Sequence, residues 1–354
     1  MPAAPLLLLV EPRDAANGLE RTLSEEGWRV VAARALPEAM DVAKREQPAA
    51  LVLHGTLDDA VALVKKLRCN AHTASLSAVV VADTPDVTRA ELARWGVTAV
   101  LGPTAPDKQI TDAVRKLAPL PPAVEAPDAE LGRPARLRAL ERAHLLDTPP
   151  EEPFDTLARF TAQLLDVPVV LMSILDRHRQ FFKAQVGLPE PVSTSRQTPL
   201  SHSFCQWVVT ADDELVVEDV RRHLVLSANR ATIEMGVVAY AGVPLRADAD
   251  QTIGSFCAVD MKPRKWAPQE LGALRDAASI AQGLSALRRA ARLPPVTFEE
   301  FRGMAGVSGR AIEAALRLHE AGRTRVDTRE HYALLALASD LGRQLARVSE
   351  RKPA

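Results

Sequence analysis

The chain has 354 residues, 47% of them hydrophobic and 25% charged, and a formal net charge of −1. That length accommodates two or three domains of ordinary size, and the near-neutral balance removes any whole-protein attraction to nucleic acid or anionic lipid. The apolar run at 6–10 is too short to cross a bilayer and has neither a basic leader nor a small-residue cleavage pattern, so neither a membrane span nor a signal peptide is expected there.

In chain order, residues 5–117 alternate short apolar runs (6–10, 30–33, 50–53, 78–81, 99–101) with amphipathic stretches (15–26, 36–46, 57–67, 88–95, 108–117). Five strands each followed by a helix predict an α/β, doubly wound, parallel five-stranded sheet over residues 1–118. Functional residues in such sheets gather at the carboxyl ends of the strands. The stretch 118-APLPPAVEAPDAELGRP-134 is rich in proline and alanine and reads as a stiff linker over 119–134 that sustains no helix. Over 135–293 two helices (136–146 and 153–165) precede a strand pair (169–175 and 180–186) joined by the polar turn 176-DRHR-179. Strands at 215–217, 239–244 and 253–259 and a helix at 268–287 follow, which predicts an α+β domain with an antiparallel sheet. After the break 294-PP-295, residues 294–354 predict helices only.

The element order of the first third, with "LLLLVEPRD" on its first strand and "GVTAVLGPTAP" on its fifth, resembles the receiver domain of two-component response regulators. That resemblance implies acids after strand one that hold magnesium and an acceptor aspartate at the end of strand three. It also implies a hydroxyl at the end of strand four, and a lysine followed by proline at the end of strand five. Here the corresponding positions hold Glu11 and Pro12 (with Asp14 as a stand-in acid), His54, Ala82, and Gly102 before Pro103. Magnesium demands near-octahedral oxygen ligation, and phosphoryl transfer needs positive charge placed against the moving oxygens. A lone histidine at a strand end is more often structural than a phosphoacceptor. The expectation is a degenerate phosphoacceptor pocket, and hence a pseudo-receiver that serves as a docking or dimerising surface.

The stretch 137-LRALERAHLLDTPPEEPFDTLARFTAQLLDVPVVLMSILD-176, with "RQFFKAQVGL", "SHSFCQWVV", "YAGVPLR" and "GSFCAVD" further on, resembles the GAF domains of bacterial sensor kinases and cyclic-dinucleotide enzymes. The resemblance implies a central antiparallel sheet with a ligand cleft on one face. Members of that family bind cyclic nucleotides, tetrapyrroles or other small molecules, or act only as dimerisation units. The ligand-binding candidates are His202, Cys205, Tyr240 and Cys257, around a cleft between the helix that begins near Cys205 and the strand at 240–245. A helix start can lower a thiol pKa. Against that, cysteine behaves in most cores as a small hydrophobe, and packing is the preferred reading for both thiols. His202 either caps the following helix or faces a ligand, capping being preferred. Phe181, Phe182 and Trp207 are core candidates.

The segment 298-FEEFRGMAGVSGRAIEAALRLHEAGRTRVD-327 resembles a helix-turn-helix, with Gly306 in the turn and Ser308 capping a second helix. Ile312, Leu316 and Leu318 would then face its core, Arg310 and Arg317 would meet DNA, and Arg323 and Arg325 would reach phosphates. Against this stand a further helical stretch at 330–348 in place of a wing, Glu313 on the face that would approach the duplex, and no basic excess. A helical adaptor is preferred. Leu334, Leu337, Leu341 and Leu345 give the last stretch one apolar face, for the core or for a partner.

No phosphate-cradling glycine loop, kinase box or cyclase signature follows Gln282. The expectation is therefore non-catalytic signal transduction of the two-component type, in the cytoplasm, with no resident cofactor or metal and with a signalling protein as partner. A homodimer through the GAF domain or the C-terminal helices is compatible with it. A DNA-binding transcriptional regulator is the alternative. A thiol enzyme on a GAF scaffold is disfavoured, because Cys69, Cys205 and Cys257 contain no CxxC and no evident nucleophile–resolver pair.

Overall fold

A computed structural model of the chain describes residues 4–11, 18–83, 89, 92–93, 95–117, 126–247, 251–290, 298–322, 326–327, 329–330, 333–334 and 336–339. For residues 57, 128, 290 and 298–309 the description is of the backbone alone. The chain divides into two compact units, Met1–Ala126 and Pro127–Ala354. Among the described residues no helix is long and apolar enough to cross a membrane.

The first unit runs β1 (Leu6–Val10), α1 (Gly18–Glu25), β2 (Arg29–Ala33), α2 (Leu36–Glu46), β3 (Ala50–His54), α3 (Leu57–Cys69), β4 (Ser77–Val81), β5 (Val97–Leu101) and α4 (Asp107–Arg115). The strands form one parallel sheet in the order β2-β1-β3-β4-β5, the flavodoxin-like winding. Near-continuous apolar runs such as LLLLV suit strands covered on both faces. Leu7 and Leu9 pack towards Leu19, Leu23, Ile110 and Val114, while Leu8 and Val10 join Ala39, Val42 and Leu63 on the opposite side. Each such leucine is worth roughly 1.5–3 kcal/mol on burial. The side chain of Thr56 starts α3 by accepting from the Asp59 N–H at 3.3 Å. Most of the helix expected at 88–95 lies outside the described residues.

The linker expectation needs correction in its second half; residues 118–125 lie outside the described residues. Residues Asp128–Leu131 form a helical turn, α5, and Leu131 is buried. Its last carbonyl is held by Arg136, whose guanidinium donates to Leu131 O at 2.9 and 2.6 Å and to Leu175 O at 2.9 Å. Arg136 is almost fully buried, and that burial pushes its pKa down to about 10. A proline-rich stretch can therefore keep a turn when a buried cation satisfies its carbonyl end.

The second unit continues with α6 (Pro134–Ala143), α7 (Glu152–Leu165), β6 (Val169–Leu175), β7 (Arg179–Val186), α8 (Val192–Ser195), β8 (Gln197–Pro199), α9 (Cys205–Ala211), β9 (Leu215–Val217), α10 (Arg230–Glu234), β10 (Ala239–Arg246), β11 (Thr252–Asp260), α11 (Pro268–Ala290) and α12 (Phe298–Gly322). Its six strands pair antiparallel in the order β8-β7-β6-β11-β10-β9. Period-two alternation sends Val170, Met172 and Ile174 into the core shared with α7 and α11, and Val169 and Leu171 to the other face. The 176-DRHR-179 turn is closed by the Asp176 carboxylate, which accepts from the N–H groups of His178 and Arg179 at 2.7 and 2.8 Å.

The "TPPEE" loop before α7 is rich in carbonyls and poor in N–H donors, and three cations fill that gap. Lys183, with no exposed side-chain surface, donates to Thr148 Oγ1, Pro149 O and Glu151 Oε1 at 2.8, 2.9 and 2.5 Å. Arg288 from α11 pairs with Glu151 at 2.9 Å and donates to His144 O at 2.6 Å. Arg196 donates to Thr148 O at 2.8 Å. Burial pushes the Glu151 carboxyl up, but Lys183 and Arg288 outweigh it and hold it below the usual range. For Lys183, burial pushes the ammonium down despite Glu151.

The tail differs from the helix-turn-helix expectation. One helix runs through the supposed turn from Phe298 to Gly322. It packs along α11, and Ala311, Ala314, Ala315 and Leu318 enter the core of the second unit. Ile312 is partly buried against that core, whereas Leu316, expected inside, is 55% exposed. Small alanines facing the neighbouring helix allow close approach, and this packing keeps the helix unbroken past Gly306. Leu334 and Leu337 are buried in the same core; Leu341 and Leu345 lie outside the described residues.

Candidate functional site

In the first unit the strand registers Val10↔Leu53, His54↔Val81 and Val81↔Leu101 set Glu11, His54, Ala82 and Gly102 along one edge, the carboxyl ends of the strands. Glu11 is buried and pairs with Arg34, which follows β2, at 3.1 Å. His54 is half-buried, Ala82 is buried with its N–H donating to Leu101 O at 3.0 Å, and Gly102 and Pro103 are exposed. Asp14 lies outside the described residues. Among the described residues no three His, Cys, Asp or Glu side chains cluster as metal ligands. Among the described residues the buried acid of this edge, Glu11, is already paired with a guanidinium, and the exposed Asp83 directly follows Ala82.

In the second unit the sheet face turned away from α7 and α11 is covered by α9, α10 and the loop after β7, which enclose a cavity of about 40 Å3. That is room for about three waters. Its wall is mostly apolar and includes all four ligand-binding candidates, His202, Cys205, Tyr240 and Cys257, together with Gln180 and Thr198. The structure therefore brings the sequence candidates together. Gln180 and Thr198 were missed: the first sits in an apparently ordinary strand, and the second belongs to β8, which is too short to leave a period.

Several polar groups belong to residues in or beside this wall. The Thr198 hydroxyl is buried without a hydrogen-bond partner. His202 contacts Ser201 Oγ through Nδ1 at 3.2 Å and Glu234 Oε2 through Nε2 at 3.0 Å, and this contact holds the Glu234 carboxyl below its usual range. The expected capping role falls instead to Ser203, whose hydroxyl accepts from the Gln206 N–H at 3.2 Å and donates to Gln180 Oε1.

Cys205 opens α9 and Cys257 lies on β11, and their sulfurs stand 3.7 Å apart. Both are buried, as packing predicts. They also form the pair that the linear cysteine pattern conceals. The Tyr240 hydroxyl donates to Cys205 Sγ at 3.2 Å and lies 3.4 Å from Ser255 Oγ. It reaches them by crossing the sheet over Gly242, where an added Cβ would stand 2.2 Å from the phenol oxygen. Only glycine leaves that path open. Burial pushes the Cys205 thiol up, but hydrogen bonding from Cys257 and from the surrounding hydroxyls outweighs it and brings it down to about 7. Burial pushes Cys257 and Tyr240 upward, and the Cys205 charge adds to that.

Of the DNA-contact candidates, Arg310 is exposed. Arg317 is held by Asp276 of α11, with its guanidinium 2.5–3.0 Å from the carboxylate oxygens. Arg323 and Arg325 lie outside the described residues. With the turn absent and Arg317 engaged, the recognition-helix geometry is missing from this segment.

Residues 149–282 match the GAF domain family. Over 131 residues the chain is 30% identical to a cyclic di-GMP phosphodiesterase of Pseudomonas aeruginosa, covering 37% of this chain and 22% of that protein; the match therefore spans about a fifth of the relative's length. Among solved structures, the GAF domain of an Acinetobacter phosphoenolpyruvate-protein phosphotransferase is 16% identical, with a TM-score of 0.33, over 44% of this chain and 96% of that one. A response regulator of Desulfuromonas acetoxidans is 18% identical, with a TM-score of 0.28, over 31% of this chain and 94% of that one. The chain thus carries a parallel five-stranded α/β unit of flavodoxin-like winding, followed by residues that match the GAF domain family.

Proposed function

We propose that this chain is a non-catalytic signal-transduction regulator in which the GAF domain senses a small molecule and the receiver-type unit serves as a docking surface for a signalling partner. The observation that carries the reading is the small GAF pocket, mostly apolar in lining, whose wall includes Thr198, a residue with a buried hydroxyl that has no hydrogen-bond partner among the described residues. Such a hydroxyl carries a desolvation cost that a bound polar group would remove. At about 40 Å3 the cavity suits a ligand of a few heavy atoms. A nucleotide would require the Leu188–Pro189 loop and the Met235 and Met261 side chains to move aside. The ion pair that occupies Glu11 supports the docking role, because a carboxylate engaged by Arg34 is a poor magnesium ligand.

Thermal unfolding of the full chain against a panel of small metabolites and cyclic nucleotides tests the sensing reading. A ligand at about a hundredfold excess over its Kd is expected to raise the unfolding temperature by about 5 °C or more, and Thr198→Val is expected to reduce that rise. A rise left unchanged in Thr198→Val excludes this cavity wall as the binding site, and silence across the panel removes the sensing role and leaves the GAF domain a structural module.

A further inference from the structure

We infer that Cys205 and Cys257 are a redox-active dithiol that a small hydroperoxide oxidises to an intramolecular disulfide from within the GAF cavity. The residues come from α9 and β11 and are 52 positions apart, yet their sulfurs are 3.7 Å from one another. A disulfide requires about 2.05 Å, so a closure of under 2 Å joins them, within reach of side-chain rotation and a small shift of α9. Both residues line the cavity wall. Its volume admits an oxidant little larger than water and excludes glutathione-sized disulfides. The inference is independent of any ligand-sensing role.

The surroundings divide the two thiols into different roles. Tyr240 donates its O–H to Cys205 Sγ, which favours the thiolate on that sulfur. The groups facing the pair are Ser173 on β6, Tyr240 on β10 and Ser255 on β11; His202, already engaged by Glu234, lies on the cavity wall. Cys205 is held near 7, whereas Cys257 is pushed upward and keeps its proton. The Cys205 thiolate attacks the terminal peroxide oxygen. The S–O bond forms, the O–O bond breaks, and the leaving oxide takes up the proton given up by the Cys205 thiol, which leaves a sulfenic acid. Cys257 then attacks that sulfur: the S–S bond forms, the S–O bond breaks, and the departing hydroxide takes the Cys257 proton to give water. In sum two thiols lose two electrons and two protons, and the hydroperoxide is reduced to an alcohol, or to water, plus one water.

The test treats the reduced full-length chain with hydrogen peroxide, then denatures it, alkylates the remaining thiols and measures its mass. Cys69, also buried, serves as the internal control. The expected product is two hydrogens lighter and alkylated only at Cys69, with a Cys205–Cys257 cross-linked peptide that dithiothreitol releases. Cys257→Ser is expected to stop at a sulfenic acid on Cys205, trapped by dimedone, and Tyr240→Phe to slow oxidation several-fold. Three alkylated cysteines after treatment, a cross-link that involves Cys69, or loss of Cys69 at the same rate as the pair would overturn the inference.

Discussion

The carboxyl edge of the parallel sheet and the cavity on one face of the antiparallel sheet are the candidate sites of their units, and they have been filled in opposite ways. At the first, the acid Glu11 is locked to Arg34, and the remaining positions carry a half-buried histidine, an alanine and a glycine. At the second, buried polar residues stand in the wall of a small pocket, one hydroxyl lacks a partner, and two sulfurs stand within contact distance. A fold preserves where chemistry would happen. Whether chemistry is possible there depends on a handful of side chains that the core does not require.

The largest expected effect breaks the second unit and leaves the first alone. Glu151→Gln removes the carboxylate that faces the Lys183 ammonium, which has no exposed surface and keeps only the neutral acceptors Thr148 Oγ1 and Pro149 O, and leaves Arg288 without its carboxylate. Removing the charge from such a part-buried pair costs about 2–3 kcal/mol, so chemical denaturation is expected to show the GAF transition moving to lower denaturant. A loss under about 1 kcal/mol contradicts the role given to this cluster. The same carboxyl sets a pH dependence. Its folded pKa lies below the ordinary 4.5, so the stability it contributes is complete above that value and is lost as the pH falls through the depressed one. Acid denaturation of Glu151→Gln is expected to be correspondingly shallower.

In the first unit Arg34→Ala should cost about 2 kcal/mol, because it leaves the buried Glu11 carboxylate unpaired. Adding Glu11→Gln should recover much of that loss if the acid does nothing but hold the arginine. Failure of the second change to recover stability means that Glu11 has another partner. The smallest effect is expected at Thr198→Val in the absence of ligand, where deleting an unpartnered hydroxyl is neutral or stabilises by up to about 1 kcal/mol. A clear destabilisation there would mean that the hydroxyl is engaged structurally.

Strand and helix periods made both sheets legible in the sequence, because near-continuous apolar runs such as LLLLV and VVLMSIL admit few other environments. The elements that left no signal are short: β8, α8 and α10 span three to five residues, fewer than two periods of the pattern each would show. The turn at Asp128–Leu131 was hidden because its stability comes from Arg136, outside the proline-rich stretch. The continuity of α12 was hidden because Gly306 reads locally as a breaker, while packing against α11 decides the outcome. The cysteine pair was illegible for a different reason. Antiparallel pairing and the placement of α9 bring together residues 52 apart, and no spacing rule encodes that.

The central proposal is that the first unit keeps a flavodoxin-like winding without phosphoacceptor chemistry. Incubating the full chain with a small phosphodonor and magnesium, followed by intact-mass measurement, addresses it directly. The account predicts an unchanged mass. A stable phosphoryl adduct on His54, or on any other residue of the first unit, contradicts it.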